Sequence, residues 1–204
     1  LDNCVDVVRE RSGQESISLF GYCMGGAFSV LYAALYPEKV RNLGLMATAV
    51  NLRDTDSVVD QWVGDDFFDT ETLIDTYGNA PAEIVDAAFS IREPVQNSLT
   101  KYLRFFDGIE DEDFVENFAR MERWIRESID VAAAAYRAFL VEVYQNNKLY
   151  NNELELDGQH VELNEITMPA LQVAGQDDQL TPPDASKRVS DVSPSDHAQG
   201  TQAS

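Results

Sequence analysis

Lysine is nearly absent from this chain. Four lysines (Lys39, Lys101, Lys148 and Lys187) stand beside eleven arginines and 36 acidic residues, for a formal net charge of −21. A surface without a basic footprint excludes nucleic acid and anionic membrane as partners. An acid-rich, lysine-poor surface stays hydrated in concentrated salt, where repulsion between carboxylates is screened, so a halophile's cytosolic protein is expected. Cysteine is scarce as well. Cys4 and Cys23 are too few for a disulfide framework and have no zinc-type spacing. Histidine occurs twice, as His160 and His197. No apolar run approaches the roughly 20 residues that span a bilayer. The opening LDNCVDVVRERSG has neither the basic start nor the apolar core of a secretory signal. It begins with Leu1 rather than methionine, which reads as an internal piece of a longer protein, truncated at both ends. Internal repeats and low-complexity tracts are missing too.

What remains is a chain of 204 residues with a 44% hydrophobic share, enough for one domain with a sizeable core. Residues 1–12 read as an amphipathic helix closed by Gly13. Cys4 shares helical spacing with Leu1, Val5 and Val8, so it is expected in the core. Ile17 to Phe20 and Leu43 to Ala47 read as buried strands. Between them Ala27, Val30, Leu31, Ala34 and Leu35 mark one face of a helix that Pro37 ends. Helix, strand, helix, strand is the alternation of a parallel α/β sheet. From 51 to 150 strand-like runs are scarce, and helices are expected near Pro81 to Ile91, Asp113 to Glu127 and Asp130 to Tyr144. Ala170 to Ala174 then resume the strand pattern. The expected organisation is a partial core of residues 1–50 and 151–204 with a mainly helical cap inserted at 51–150.

The stretch "SISLFGYCMGG" carries the chemistry. Strand, Gly21-Tyr22-Cys23-Met24-Gly25, helix is a nucleophile elbow with cysteine in the usual serine position, which predicts an α/β-hydrolase fold. The turn is so tight that side chains at Gly21 and Gly25 are expected to collide with their neighbours. The helix N-terminus faces the reaction centre and favours a thiolate. The backbone N–H of Met24 is placed to stabilise a tetrahedral oxyanion. Such a nucleophile needs an acid and a histidine, in that chain order. In "VAGQDDQLTPP", Asp177 and Asp178 both qualify as the acid. Asp178, two residues before Leu180 and four before Pro182, is preferred. His160 precedes the acid in a polar turn and reads as a surface residue. His197 follows it, in a loose tail with no strand leading up to it, so the catalytic histidine is expected beyond Ser204. The acidic stretch "DGIEDEDFVEN" lacks the glycine-centred spacing of a calcium loop and reads as a solvated face. No metal is indicated. Trp62, Phe67, Phe68, Phe105 and Phe106 read as core of the helical insertion.

Segment by segment, "LFGYCMGG", "LYPEKVRNLGLMAT", "MERWIRESIDVA" and "NNELELDGQHVELNEITMPALQVAGQDDQLTPP" resemble the catalytic subunit of polyhydroxyalkanoate synthases. The likeness is to the two-subunit, class III type of haloarchaea. It implies an acyltransferase that polymerises 3-hydroxyacyl-CoA, 3-hydroxybutyryl-CoA above all, with release of CoA. Cys23 would be the acylated nucleophile and Asp178 the triad acid, and a Gly-His-x-Gly segment after Ser204 would supply the base. Many relatives have a histidine directly after the acid, where this chain has Gln179. A second oxyanion donor would come from an earlier loop outside the chain. The resemblance further implies a second synthase subunit, association with polyester granules in the cytoplasm, and no cofactor beyond the CoA thioester substrate. The 204 residues alone are expected to be inactive. Two rivals share the fold: a cysteine-dependent hydrolase like dienelactone hydrolase, which lacks so long a helical insertion, and a non-catalytic interaction protein.

Overall fold

The structure is a computed structural model that describes residues 1–51, 53, 69–92, 99–178, 180–186, 189 and 199–203. Helix α1 (Asp2–Ser12) ends where Gly13 turns left-handed (φ 66°) and the amides of Gly13 and Gln14 close on the carbonyls of Glu10 and Arg9; a Cβ is disfavoured in that conformation. Strand β1 (Ile17–Tyr22) runs into helix α2 (Met24–Leu35), and a single tight turn at Pro37–Lys39 leads to β2 (Val40–Met46). Next come the helices α3 (Thr70–Tyr77), α4 (Ala82–Arg92), α5 (Lys101–Asp107), α6 (Glu112–Arg126) and α7 (Ala133–Arg137). A wider helical segment, Ala138–Gln145, and the short α8 (Lys148–Asn151) precede a hairpin of β3 (Glu155–Leu156) and β4 (Gln159–His160). The chain closes with β5 (Ala170–Gly175), α9 (Pro183–Ser186) and β6 (Gln199–Ala203). These elements form two units, Leu1–Phe68 with Phe139–Ser204, and Asp69–Ala138.

The first unit is built on a parallel sheet in the order β1-β2-β5-β6. Its core lies between the sheet and α2, where Val30, Leu43, Leu45, Leu149, Val161, Leu163 and Ile166 are buried. Each such side chain contributes about 1.5–3 kcal/mol relative to exposure. The expectation of buried strands holds for one face only. Leu43 and Leu45 of β2 are buried, whereas Phe20 and Tyr22 of β1 and Leu171 of β5 are exposed. Along each strand successive side chains point to opposite faces, and only one face is covered by the described residues. Phe20 lies over Gly44, where an added Cβ would meet its ring at 2.7 Å.

Helix α1 corrects a second expectation. Val5 is buried, but Cys4, Leu1 and Val8 are exposed. The i, i+3, i+4, i+7 stripe exists, yet the described residues cover only its centre. The helix is held instead by Asp2, whose carboxylate accepts from the Tyr32 hydroxyl at 2.7 Å and from Lys39 at 2.6 Å. Lys39, then Tyr32, hold that carboxyl below the usual range.

The second unit falls within the stretch expected to be helical. Its described residues form short helices tied by polar side chains, with one antiparallel bridge between Ala80 and Val131. Asp69 caps α3 by accepting from the amide and hydroxyl of Thr72, at 3.0 and 2.6 Å. Asp111 caps α6 by accepting from the Phe114 amide, as short acidic side chains do at helix starts. Asp130 accepts from the Ala82 amide and Asn79 from the Ala133 amide. Phe105 and Phe118 stack with ring centres 4.5 Å apart. The helix expected from Asp130 to Tyr144 is instead α7 followed by the wider segment, where the Asn146 amide bonds the Val141 carbonyl five residues back. No described helix is long and apolar enough to cross a membrane.

Candidate active site

Cys23 sits at the joint of β1 and α2 with its side chain exposed. Its backbone (φ 53°, ψ −124°) lies in a region that residues with a Cβ rarely adopt, at a strain of about 1–3 kcal/mol. The fold holds it from both sides. The Cys23 amide donates to the Met46 carbonyl at 3.0 Å, extending the β1–β2 pairing, and the Cys23 carbonyl accepts from Gly26 and Ala27 at 2.9 and 3.4 Å, opening α2. Met24 is the first residue of that helix, so its N–H has no intrahelical acceptor and stands beside the sulfur-bearing residue. That is the arrangement an oxyanion donor requires.

The glycines around the joint divide differently from the expectation. A Cβ at Gly21 would stand 2.5 Å from the Gly26 Cα and 2.6 Å from the Gly25 carbonyl oxygen. Both are backbone atoms that cannot yield, so Gly21 is required as expected. Gly25 is not. A Cβ there meets nothing within 4 Å, and the expected collision is corrected: this position faces open space. The steric demand falls on Gly26, where a Cβ would lie 1.8 Å from Oγ1 of the buried Thr48. Thr48 is pinned two residues past β2, next to Ala47, which has a positive φ of 47° and donates its amide to Val173 at 2.9 Å. Gly26 and Thr48 were missed. The Gly25-Gly26 doublet was the available signal, but only the tertiary contact says which glycine matters.

Of the two candidate acids, Asp178 is the one with an engaged carboxylate. Its Oδ1 accepts from the amides of Leu180 and Thr181 at 2.8 and 3.0 Å, and its Oδ2 accepts from the Thr181 hydroxyl at 2.9 Å. Asp177 is exposed. Asp178 leaves the C-terminal end of β5, and Cys23 leaves the C-terminal end of β1. β1, β2 and β5 are parallel neighbours, so both residues follow strands that end at one edge of the sheet and lie two strand spacings, about 10 Å, apart.

His160 lies on β4, exposed, with Nε2 3.8 Å from Glu162; it belongs to the hairpin, as a surface residue. His197, Gln179, Trp62, Phe67 and Phe68 lie outside the described residues. Phe105 packs on Phe118, whereas Phe106 is exposed, against the expectation that it is core. Among the described residues no group of three or more His, Cys, Asp or Glu side chains could hold a metal ion.

One residue beside the loops that leave β2 and β5 was not foreseen. Tyr144, half-buried in the wider helical segment, packs on Ala49 and Ala185 and on the Phe139 ring at 4.4 Å. Burial pushes its phenol up, and the charge of an ionised Cys23 adds to the shift.

A family model described as the alpha/beta hydrolase fold matches residues 1–199. The chain is 53% identical over 196 residues to the poly(3-hydroxyalkanoate) polymerase subunit PhaC of Haloferax mediterranei, covering 96% of this chain and 40% of that protein. It is 53% identical over 196 residues to the same-named subunit of Haloarcula marismortui, covering 96% and 41%. For that of Allochromatium vinosum the identity is 41% over 189 residues, covering 93% and 53%. The chain thus spans 40%, 41% and 53% of these relatives' lengths. Among solved structures, a hydrolase from Pseudomonas aeruginosa aligns with a TM-score of 0.57 at 16% identity, covering 98% of this chain and 61% of that one. A monoacylglycerol lipase from Paleococcus ferrophilus gives 0.52 at 16%, covering 98% and 63%. At such identities these two speak for the fold alone. With the family model spanning nearly its whole length and a strained cysteine joining strand to helix, the chain belongs to the alpha/beta hydrolase fold family.

Proposed function

We propose that this chain is the catalytic portion of a poly(3-hydroxyalkanoate) polymerase, in which Cys23 carries the acyl group. The observation that carries this reading is the 53% identity to two haloarchaeal polymerase subunits over a stretch that includes a cysteine at a strained strand–helix joint. The chemistry suits a cysteine. A 3-hydroxyacyl-CoA is a thioester, and transfer to Cys23 exchanges one thioester for another at little cost while keeping the acyl group activated. A second monomer's hydroxyl then attacks, forms the lower-energy oxygen ester and extends a polyester. These steps need a nucleophile, a base and hydrogen-bond donors, and no metal or redox cofactor.

In this reading the Met24 amide is one oxyanion donor, and Asp178 orients a histidine that lies beyond Ser204. The direction of β6 supports that placement. β6 runs parallel to β5 and pairs Ala203 with Gly175, so a chain leaving β6 emerges at the edge that holds Asp178 and Cys23. 3-Hydroxybutyryl-CoA is the proposed monomer, a second synthase subunit the proposed partner, and the surface of cytoplasmic polyester granules the proposed place of work.

The test is made on the full-length protein with 3-hydroxybutyryl-CoA. The parent is expected to release CoA, retain a covalent acyl adduct and accumulate polymer. Free 3-hydroxybutyrate without polymer would point to a hydrolase of the same fold. An adduct of equal size on Cys23→Ala would reject the nucleophile.

A further inference from the structure

The Asp178 carboxylate is held more fully than the turn around it requires. Its Oδ1 accepts from the amides of Leu180 and Thr181 at 2.8 and 3.0 Å. Bonds of this kind, from an aspartate to amides just ahead of it, close a turn by themselves. The Thr181 hydroxyl adds a third, to Oδ2 at 2.9 Å. An ionised carboxylate offers about four acceptor positions, two on each oxygen. Among the described residues both positions on Oδ1 and one on Oδ2 are taken. The open position is on the oxygen that Thr181 holds.

Local sequence aims this hydroxyl. Thr181 precedes Pro182 and Pro183, and a residue before proline is confined to extended backbone. Its β-branched side chain has few rotamers open to it. Thr181 is buried, and among the described residues its hydroxyl bonds Asp178 alone. The segment behind it is anchored. The Pro182 carbonyl accepts from the Ala185 amide at 2.9 Å, and the Ala185 carbonyl accepts from Val50 and Asn51, just past β2, at 2.9 and 3.0 Å. β2 also holds the nucleophile, through the bond from the Cys23 amide to the Met46 carbonyl at 3.0 Å. One strand therefore anchors Cys23 directly and the Asp178 turn through the loop that follows it.

We propose that Thr181 is a positioning residue that sets the tilt of the Asp178 carboxylate and leaves one Oδ2 position for an N–H of the catalytic histidine. The proposal rests on Asp178 being the acid of a Cys-His-Asp triad. In that triad the imidazole takes the Cys23 proton on one nitrogen and passes it to the departing CoA thiolate, while its other N–H donates to the acid. With Oδ1 filled by amides, the tilt decides whether Oδ2 meets that N–H in line. Hydrogen bonds weaken steeply as they bend. Thr181 takes no part in the proton transfers and acts through Asp178.

The experiment measures CoA release from 3-hydroxybutyryl-CoA by the full-length parent, by Thr181→Val, Thr181→Ser and Asp178→Asn, and by the double variant Thr181→Val with Asp178→Asn. Valine keeps the branched shape and the backbone amide and removes only the hydroxyl. Thr181→Val is expected to lower kcat about tenfold, a fraction of what a whole acid–base group contributes, with KM unchanged. Thr181→Ser, which keeps the hydroxyl, is expected to restore most of the rate. In the Asp178→Asn background valine should cost nothing more, because residues that act as a unit are not additive. An unchanged kcat for Thr181→Val overturns the proposal. So does a loss that serine does not restore, or one that persists undiminished in the Asp178→Asn background, since the hydroxyl would then serve the loop's stability. Should valine unfold the protein, Thr181→Ala carries the same comparisons. Parental turnover by Asp178→Asn would instead reject the acid assignment beneath the proposal, so the two failures are separate.

Discussion

In the first unit α2 buries Gly26, Ala27 and every residue from Ser29 to Ala34, in one core with Phe139, Val143 and Leu149. In the second unit α6 is longer yet has no buried residue, and Trp124 on it is 72% exposed. The first unit carries a backbone in a strained conformation at Cys23, and such strain persists only where surrounding contacts over-determine it. The second carries none at its described non-glycine residues; three of its helices are started by aspartate side chains, Asp69, Asp111 and Asp130, that accept from first-turn amides. Packing density follows the demand for fixed geometry. Catalytic precision should therefore be sensitive to small volume changes in the first unit and indifferent to them in the second.

The most severe break of that contrast is removal of the nucleophile. Cys23→Ala in the full-length protein should abolish both the covalent adduct and polymer formation, measured by retention of radiolabelled 3-hydroxybutyrate. Next is the acid. Asp178→Asn keeps an oxygen for the Leu180 and Thr181 amides but loses the charge that a histidine partner needs, and should lower the rate of CoA release by at least about a hundredfold. Asp177→Asn should change it little; the reverse order would exchange the two assignments.

The glycines sharpen the comparison within four residues. Gly26→Ala forces a methyl against Thr48 and should destabilise by about 1–3 kcal/mol in chemical denaturation, with part of the loss restored by adding Thr48→Ala. Gly25→Ala should be neutral or slightly stabilising, since alanine favours a helix by about 1 kcal/mol over glycine. A milder and more diffuse effect is salt. With a net charge of −21, repulsion is unscreened over about 30 Å at 0.01 M ionic strength and over about 3 Å at 1 M. Tm should rise steadily with potassium chloride, and a flat profile would remove the halophile reading.

The smallest effect concerns Lys39, whose charge Asp2 and then Asp6 hold to a higher pH than usual, while Asp2 is held to a lower one. A depressed carboxyl contributes stability above its unfolded pKa and loses it as pH falls through the folded value. A raised lysine contributes below its unfolded pKa and loses it as pH rises through the folded one. The Tm difference between parent and Lys39→Met should thus be greatest between those ranges and shrink toward either extreme.

Much of this was legible in the residues. Gly13 and Pro37 stop helices by local backbone preference, and the extents of α1, β1, α2 and β5 follow from short-range apolar spacing. Gly21-x-Cys23 announced a tight joint because its cause is a contact between adjacent segments. Cys4 shows the limit: a helical stripe reveals that a helix is amphipathic, not which part of the stripe is covered. Phe20 repeats the lesson in a strand.

Sequence by itself determined the alternation of strand and helix, the position of the cysteine between them, the acid-bearing loop and the acidic surface, all properties of neighbouring residues or of composition. Tertiary structure alone decided that Gly26 rather than Gly25 is sterically required, that Asp178 rather than Asp177 has an engaged carboxylate, and that Tyr144 packs on Ala49 and Ala185. The physical reason is shared by the first and last. A contact between residues far apart in the chain depends on where two backbones pass, and the close approach of Gly26 to Thr48 exists only once α2 has been laid across the end of β2. The choice between adjacent aspartates rests instead on the path of one turn, which the end of β5 sets.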